Sequence, residues 1–391
     1  MADAALRPVW AEIDLAALRH NAGLLRRAAA GAELCAVVKA DAYGHGAVPV
    51  ARAALAAGAS WLAVALVEEG AVLRDAGIDA PVLVLSEPPA GAMAEAVARR
   101  LTPTVYSTAG VAAADAAARR GGRRLVEVHL KVNTGMHRVG ADLHEVAAVA
   151  AAVAAAPGLR LGALWTHLAV ADGADAEDRR FTELQLRRLD EALAAVRAAG
   201  VQVPAVHAAN SAATLLYPAA RRDLVRCGIA LYGVEPAPGL GPVVAEVAGA
   251  CLRPVLSWKA QVSYVRRLGA GERPSYGRRR PLATDGLVAT VPVGYADGVP
   301  RRLFEQGGSV LIGGCHRPLA GTVTMDQIVV DCGPAGDGPP VRVGDEVVLI
   351  GSQGQARLRA EDWAATLGTI GYEVLCGIGP RVPRRHLEPA P

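Results

Sequence analysis

Of the 41 basic residues in this 391-residue chain, three are lysine: Lys39, Lys131 and Lys259. Arginine is permanently protonated and a poor nucleophile, whereas a desolvated lysine can lose its proton and form a Schiff base. A chain that uses arginine almost everywhere is therefore informative where it keeps lysine. Lys39 closes the apolar run Leu34-Cys-Ala-Val-Val38 and is followed by Asp41-Ala-Tyr43-Gly44-His45-Gly46. Apolar surroundings lower an amine's pKa, which suits imine chemistry; the other reading is a strand-end ion pair, and position alone does not separate the two. Lys131 closes a second apolar run, ahead of Asn133-Thr-Gly-Met-His-Arg138. The cysteines at 35, 227, 251, 315, 332 and 376 form no Cys-x-x-Cys and no His pairing. That argues against structural zinc and a disulfide framework, and no metal is expected.

These residues need elements to position them. A length of 391 residues corresponds to two or three domains at about 150 residues each. With 52% hydrophobic and 20% charged residues the chain can bury a core, and a net charge of +3 is too balanced for a nucleic-acid binder. No apolar stretch has the length of a membrane span, and the N-terminus lacks a signal-peptide pattern, so a soluble cytoplasmic enzyme is expected. From about residue 30 to 235, eight short apolar runs alternate with alanine-rich amphipathic segments. The runs are Leu34–Lys39, Trp61–Leu66, Val82–Leu85, Thr102–Tyr106, Leu125–Val132, Leu159–His167, Ala205–Ala208 and Leu224–Arg226. Eight strand–helix units predict an α/β fold, a (β/α)8 TIM-like barrel. An open doubly wound sheet is the alternative, but no Gly-x-Gly-x-x-Gly supports its dinucleotide version. After residue 250, β-branched runs punctuated by Gly and Pro predict a mostly antiparallel β domain. Its expected strands lie in Val255–Leu268, Gly286–Val293, Ser309–Ile312, Thr322–Val330 and Glu346–Ile350, with one helix near Ala360–Leu367. The boundary is placed at the Pro/Gly-rich Val234–Val243, giving a barrel over 14–248 and a β domain over 249–391; the extended Arg7–Ile13 fits either.

Active sites of such barrels lie at the C-terminal ends of the strands. Lys39, Lys131, His167, His207 with Asn210-Ser211, and Arg226-Cys-Gly228-Ile229 all fall there. Ser211 and the Gly228 and Ile229 amides sit where barrels of this kind hold phosphate. A lysine and a phosphate site on one rim point to pyridoxal 5′-phosphate (PLP).

The segment Ala36-Val-Val-Lys39-Ala-Asp-Ala-Tyr43-Gly-His-Gly resembles the cofactor-lysine motif of the PLP-dependent alanine racemases. Several later segments are similar to that family in the same order. They are Lys131-x-Asn-Thr-Gly-Met-x-Arg138, His207-Ala-Ala-Asn-Ser211, Arg226-x-Gly-Ile-Ala-Leu-Tyr-Gly, Gly294-Tyr295-Ala-Asp-Gly298, Met325-Asp326-Gln327, Gly371-Tyr372-Glu-Val and Arg381-Val-Pro-Arg. The resemblance spans about Ala11 to Arg384. It implies a head-to-tail homodimer with composite active sites, a first strand, within 1–13, that joins the β domain, and interconversion of L- and D-alanine for peptidoglycan.

By the same resemblance Lys39 holds PLP and is the base for the D-enantiomer, and Tyr276 of the partner chain is the opposite base. Tyr264 is a decoy that lacks the following glycine and reads as a strand tyrosine. Arg226 faces the pyridine nitrogen, and with His167 it supports the tyrosine. Because arginine keeps its proton, the ring is a weaker electron sink than with a carboxylate partner. Tyr43, Asn210, Ser211, Gly228, Ile229 and Tyr372 are carried over as phosphate ligands. Arg138 and, from the partner chain, the Met325 amide are expected on the substrate carboxylate, with Tyr295 at the entry or the small side-chain pocket. Lys131 is expected as a carbamate that orients Arg138, the alternative being an uncarbamylated lysine or a structural pair. His45, His137 and His207 read as packing or loop histidines. Asn133, Pro274, Thr324 and Arg278-Arg-Arg280 depart from the family pattern without removing a catalytic group. A broader or serine-preferring racemase and a non-catalytic PLP-binding protein are the alternatives; a Schiff-base aldolase would not explain the phosphate set together with Arg226.

Overall fold

The computed structural model describes residues 6–122, 125–334 and 340–388. The chain divides into two units, one comprising Ala17–Ala42 and Gly46–Arg253, the other Met1–Ala16, Tyr43–His45 and Pro254–Pro391.

After β1 (Val9–Asp14), eight strands build the first unit: β2 (Glu33–Val37), β3 (Trp61–Val64), β4 (Val82–Val84), β5 (Thr102–Val105), β6 (Val126–Lys131), β7 (Leu159–Trp165), β8 (Ala205–His207) and β9 (Leu224–Cys227). All are parallel, in the order β8-β7-β6-β5-β4-β3-β2-β9. Between β8 and β9 two backbone bonds stand in for a ladder, Asp223 N–H to Val206 O and Arg226 N–H to Ala209 O, and nearly close the barrel. Each strand is short and mostly buried, as expected where helices cover the outer face. The helices begin where the sequence supplies caps. Ser107 Oγ accepts from Gly110 N–H to start Thr108–Arg120, and an Asp175 carboxylate oxygen accepts from Asp178 N–H to start Ala176–Ala198. Their buried faces carry Val111, Ala114 and Ala118 in the first and Leu186, Leu189 and Val196 in the second.

The second unit contains β10 (Leu256–Gln261), β11 (Tyr264–Leu268), β12 (Gly286–Val291), β13 (Ser309–Ile312), β14 (Cys315–Pro318), β15 (Ile328–Asp331), β16 (Glu346–Gln353), β17 (Ala356–Leu358) and β18 (Arg384–Leu387). One sheet runs β14-β13-β16-β10-β1-β18, with β17 on β16; the other is β11-β12-β15. Among the described residues of this unit only the β1–β18 strand pair is parallel. The single apolar run Val255–Leu268 becomes two strands because the chain changes sheets: β10 pairs with β1 and β16, whereas β11 pairs with β12. Within Thr322–Val330 only the end is strand. Thr324 Oγ1 accepts from Gln327 N–H and donates to Gln327 O, so a side chain replaces the ladder there. Lys259, the third lysine, is structural: its ammonium pairs with Glu12 at 3.0 Å and Glu346 at 3.2 Å. The Pro/Gly-rich segment also starts a helix, Gly241–Ala248, with Pro242 in its first turn and Gly249 left-handed at its end.

Candidate active site

Lys39 follows β2 and is half-buried. Beyond it the backbone turns left-handed for five residues, Ala40, Asp41, Ala42, Tyr43 and Gly44, with φ of 52°, 50°, 55°, 54° and 79°. Left-handed backbone costs L-residues roughly 1–2 kcal/mol each, and such strain concentrates at functional sites. Side-chain contacts hold the turn: the Ala40 N–H donates to a Glu69 carboxylate oxygen at 2.6 Å, and the Asp41 carboxylate accepts from Ala47 N–H at 2.7 Å.

Arg226 on β9 is buried in the barrel, 3% exposed. Its Nη2 donates to the carbonyls of Thr166 at 2.8 Å and Ala208 at 2.9 Å and lies 3.4 Å from His167 Nδ1. Its Nη1 lies 2.7 Å from His207 Nδ1, and the guanidinium carbon is 4.6 Å from the Trp165 ring centre. Among the described residues no carboxylate pairs with it. Burial lowers Arg226 to about 10, still far above neutral pH. Burial first, then the Arg226, Lys131, Arg138 and Lys39 charges, hold His167 well below the usual imidazole value.

Lys131, at the end of β6, is buried with its ammonium 4.4 Å from the centre of the Trp165 ring. Burial and the charges of Arg226, Arg138 and Lys39 push it down from 10.5 to about 7. Arg138 itself is exposed. Asn133 shapes the turn between the two: its Oδ1 accepts from the Gly135 and His137 amides at 3.2 and 3.0 Å. The strand end carrying His167 is braced by Gln185, whose Nε2 donates to His167 O and Thr134 Oγ1, both at 3.1 Å.

Ser211 and Gly228 meet directly, the Gly228 amide donating to Ser211 Oγ at 2.9 Å, with Ile229 next in the chain. Asn210 has a different task in this structure, its Oδ1 accepting from Ala213 N–H to cap the short helix Ser211–Leu216. Lys39, Lys131, Arg138, His167, Asn210, Ser211, Arg226, Gly228 and Ile229 thus belong to the barrel unit.

The remaining candidates belong to the second unit. The Tyr43 and Tyr372 rings are 6.1 Å apart. Tyr276, Tyr295 and Met325 are 73%, 42% and 52% exposed. One backbone segment ties these three together. Thr322 Oγ1 donates to Tyr276 O and Ser275 Oγ donates to Thr322 O, while the Tyr295 and Ala296 amides donate to Thr324 O and Met325 O. A Cβ on Gly294 would lie 2.3 Å from Thr324 O, so this backbone contact requires glycine. Tyr264 lies on β11 and pairs with Thr290, an ordinary strand position.

Four barrel residues that sequence reasoning left out stand beside these groups. The centre of the Trp165 ring is 4.4 Å from the Lys131 ammonium and 4.6 Å from the Arg226 guanidinium carbon; His207 stacks on it at 5.4 Å and 12°. His207 Nε2 is 3.2 Å from His129 Nδ1, and His129 Nε2 is 3.3 Å from a Glu127 oxygen. The alternation of Glu127, His129 and Lys131 along β6 was the available signal, since a strand's period of two puts them on one face.

The family models for the alanine racemase N-terminal and C-terminal domains match residues 13–236 and 255–386. The chain is 47% identical over 382 residues to alanine racemase from Symbiobacterium thermophilum, covering 97% of each. Among solved structures it is similar to alanine racemase from D-cycloserine-producing Streptomyces lavendulae, with a TM-score of 0.89, 39% identity and 98% of both chains covered. It is likewise similar to alanine racemase from Streptomyces coelicolor A3(2), with a TM-score of 0.89 and 41% identity over 99% of this chain and 100% of that one.

Proposed function

Because the chain belongs to the alanine racemase family, an isomerase family, we propose that it interconverts L- and D-alanine with PLP tethered to Lys39. One observation carries the cofactor reading: a half-buried lysine and a buried arginine without a carboxylate partner share one cluster of mutually acting charges. The donor set fits PLP: an amine to bind the aldehyde carbon, and the Ser211 hydroxyl and Ile229 amide for phosphate oxygens, beside the Gly228 amide that here donates to Ser211 Oγ. Tyr43 and Tyr372 complete that set in this reading. When bound, PLP supplies an electron sink that makes the substrate Cα proton removable.

The side chains divide the remaining work. Lys39 Nζ takes or returns the proton on one face of Cα, and the Tyr276 hydroxyl of a partner chain does so on the other. A phenol near pKa 10 needs positive surroundings to act as a base, which Arg226 supplies, with His167 as a neutral hydrogen-bonding link. Arg226, donor-only, withholds a proton from the ring nitrogen and so limits how far charge drains into the cofactor. Arg138 and, from the partner chain, the Met325 amide bind the substrate carboxylate, and Tyr295 borders the small side-chain pocket. Lys131 carries a carbamate: the neutral amine attacks the carbon of CO2, the N–C bond forms as one C=O π pair moves to oxygen, and the nitrogen gives a proton to solvent, leaving an anion beside Arg138. Supply of D-alanine to peptidoglycan and a cytoplasmic location complete the reading. The buried thiols of Cys35, Cys227 and Cys332 suit a reducing compartment.

The test is Lys39→Ala. The variant is expected to lose both the yellow chromophore on PLP addition and all alanine interconversion by chiral chromatography. A borohydride-reducible chromophore that persists overturns the assignment.

A further inference from the structure

Arg226 is a donor-only group, and a carboxylate is an acceptor-only group. Two histidines separate them in the barrel: Glu127 Oε1 to His129 Nε2 at 3.3 Å, His129 Nδ1 to His207 Nε2 at 3.2 Å, and His207 Nδ1 to Arg226 Nη1 at 2.7 Å. With both ends fixed, only one proton arrangement satisfies every link. His129 Nε2–H donates to Glu127, His207 Nε2–H donates to His129 Nδ1, and Arg226 Nη1–H donates to His207 Nδ1. A proton on either Nδ1 would set donor against donor at one of these contacts. Burial depresses both imidazoles, His207 the more strongly, and the His129 hydrogen bond holds Glu127 below the usual carboxylate range.

We propose that Glu127, His129 and His207 form a polarised hydrogen-bond relay that positions Arg226, with the carboxylate at its far end rather than against the guanidinium. It rests on the reading that Arg226 faces the cofactor. The relay is not a proton wire, because arginine does not release its proton. A carboxylate directly against Arg226 would hold the guanidinium in an ion pair and cancel its field at the site. Two neutral rings instead transmit polarisation and fix the guanidinium plane, with the Thr166 and Ala208 carbonyls holding the other nitrogen. Trp165 stacked on His207 limits its rotation. The far end is anchored by Arg160, 2.6 Å from Glu127, and Glu127 lines an open pocket with Arg100, Leu101 and Leu125.

The experiment has two arms. In the full chain labelled with 15N-histidine, His129 and His207 are expected neutral with the proton on Nε2 between about pH 6 and pH 8. A proton on Nδ1 of either ring, or a protonated ring, overturns the relay, and this holds even if a variant fails to fold. In the holoenzyme, Glu127→Ala should lower kcat about tenfold with KM within about twofold and displace the pH profile, whereas Glu127→Gln, which keeps an acceptor oxygen, should recover most of the loss. Both variants within twofold of wild type, with Arg226→Ala inactive, would overturn the positioning role. An Arg226→Ala variant with unchanged activity and cofactor absorbance would instead sink the reading of Arg226 and leave the tautomer result standing.

Discussion

At the scale of single residues, the same burial acts oppositely on function and on charge. Lys131 has to be neutral to take up CO2, and its position near Trp165 among three cations brings that state to about pH 7. Raising the pH through 7 should therefore bring up a carbamate carbon signal in 13C-bicarbonate, absent from Lys131→Arg. The linkage sign follows from the same depression. Between about 7 and 10.5 the unfolded chain binds a proton at this lysine and the uncarbamylated folded chain does not, so stability rises with pH across that window and the contribution is lost below it. Without added bicarbonate, Lys131→Met should flatten that part of the pH dependence of the denaturant midpoint. Tyr276 belongs to this scale too. Tyr276→Phe is expected to slow Cα deuterium exchange of L-alanine far more than that of D-alanine, since only one face loses its base; equal losses would remove the two-base assignment.

Among the elements, the left-handed turn after β2 matters most. Four consecutive non-glycine residues at φ near 50° are held by the Asp41 carboxylate at the start of the helix Ala47–Ala56 and by Glu69 on the Ala40 amide. Asp41→Ala is expected to cost about 1 kcal/mol, the usual size of a lost cap, and to weaken PLP binding in a fluorescence titration by letting Tyr43 depart from its place. Stability falling while cofactor affinity stays constant would separate the turn from the cofactor. The segment 321–325 does similar work in the second unit. A Cβ on Gly321 would lie 2.4 Å from Pro274 O, and Thr322 bonds the Tyr276 carbonyl, so the tyrosine loop is clamped from behind while its ring faces outward.

For the whole molecule, the exposure of Tyr276 and Met325 and the backbone segment that ties them together with Tyr295 support the proposal that these two residues complete another chain's site. The consequence is measurable with two inactive chains. Co-expressed Lys39→Ala and Tyr276→Phe should recover about a quarter of wild-type activity, because half the dimers are mixed and each has one intact site out of two. If Tyr276 serves its own barrel, both sites of the mixed dimer stay defective and nothing is recovered.

The sequence by itself determined the period and order of the elements: eight apolar runs spaced by amphipathic helices, then β-branched runs. It also drew attention to Lys39 and Lys131, lysines amid arginines after apolar runs, within motifs that resemble those of the family. What only tertiary structure decided concerns contacts between residues far apart in sequence. Sheet choice split Val255–Leu268, since hydrogen-bond partners rather than local hydropathy decide where a strand ends. Lys259 proved structural through Glu12 and Glu346, which lie 247 residues before it and 87 after it. His207, read from its own segment as a packing histidine, stands between Arg226 and His129 because closing the barrel brings β6, β8 and β9 together. Hydrogen-bond polarity across such contacts depends on both partners, and no local stretch of sequence contains both.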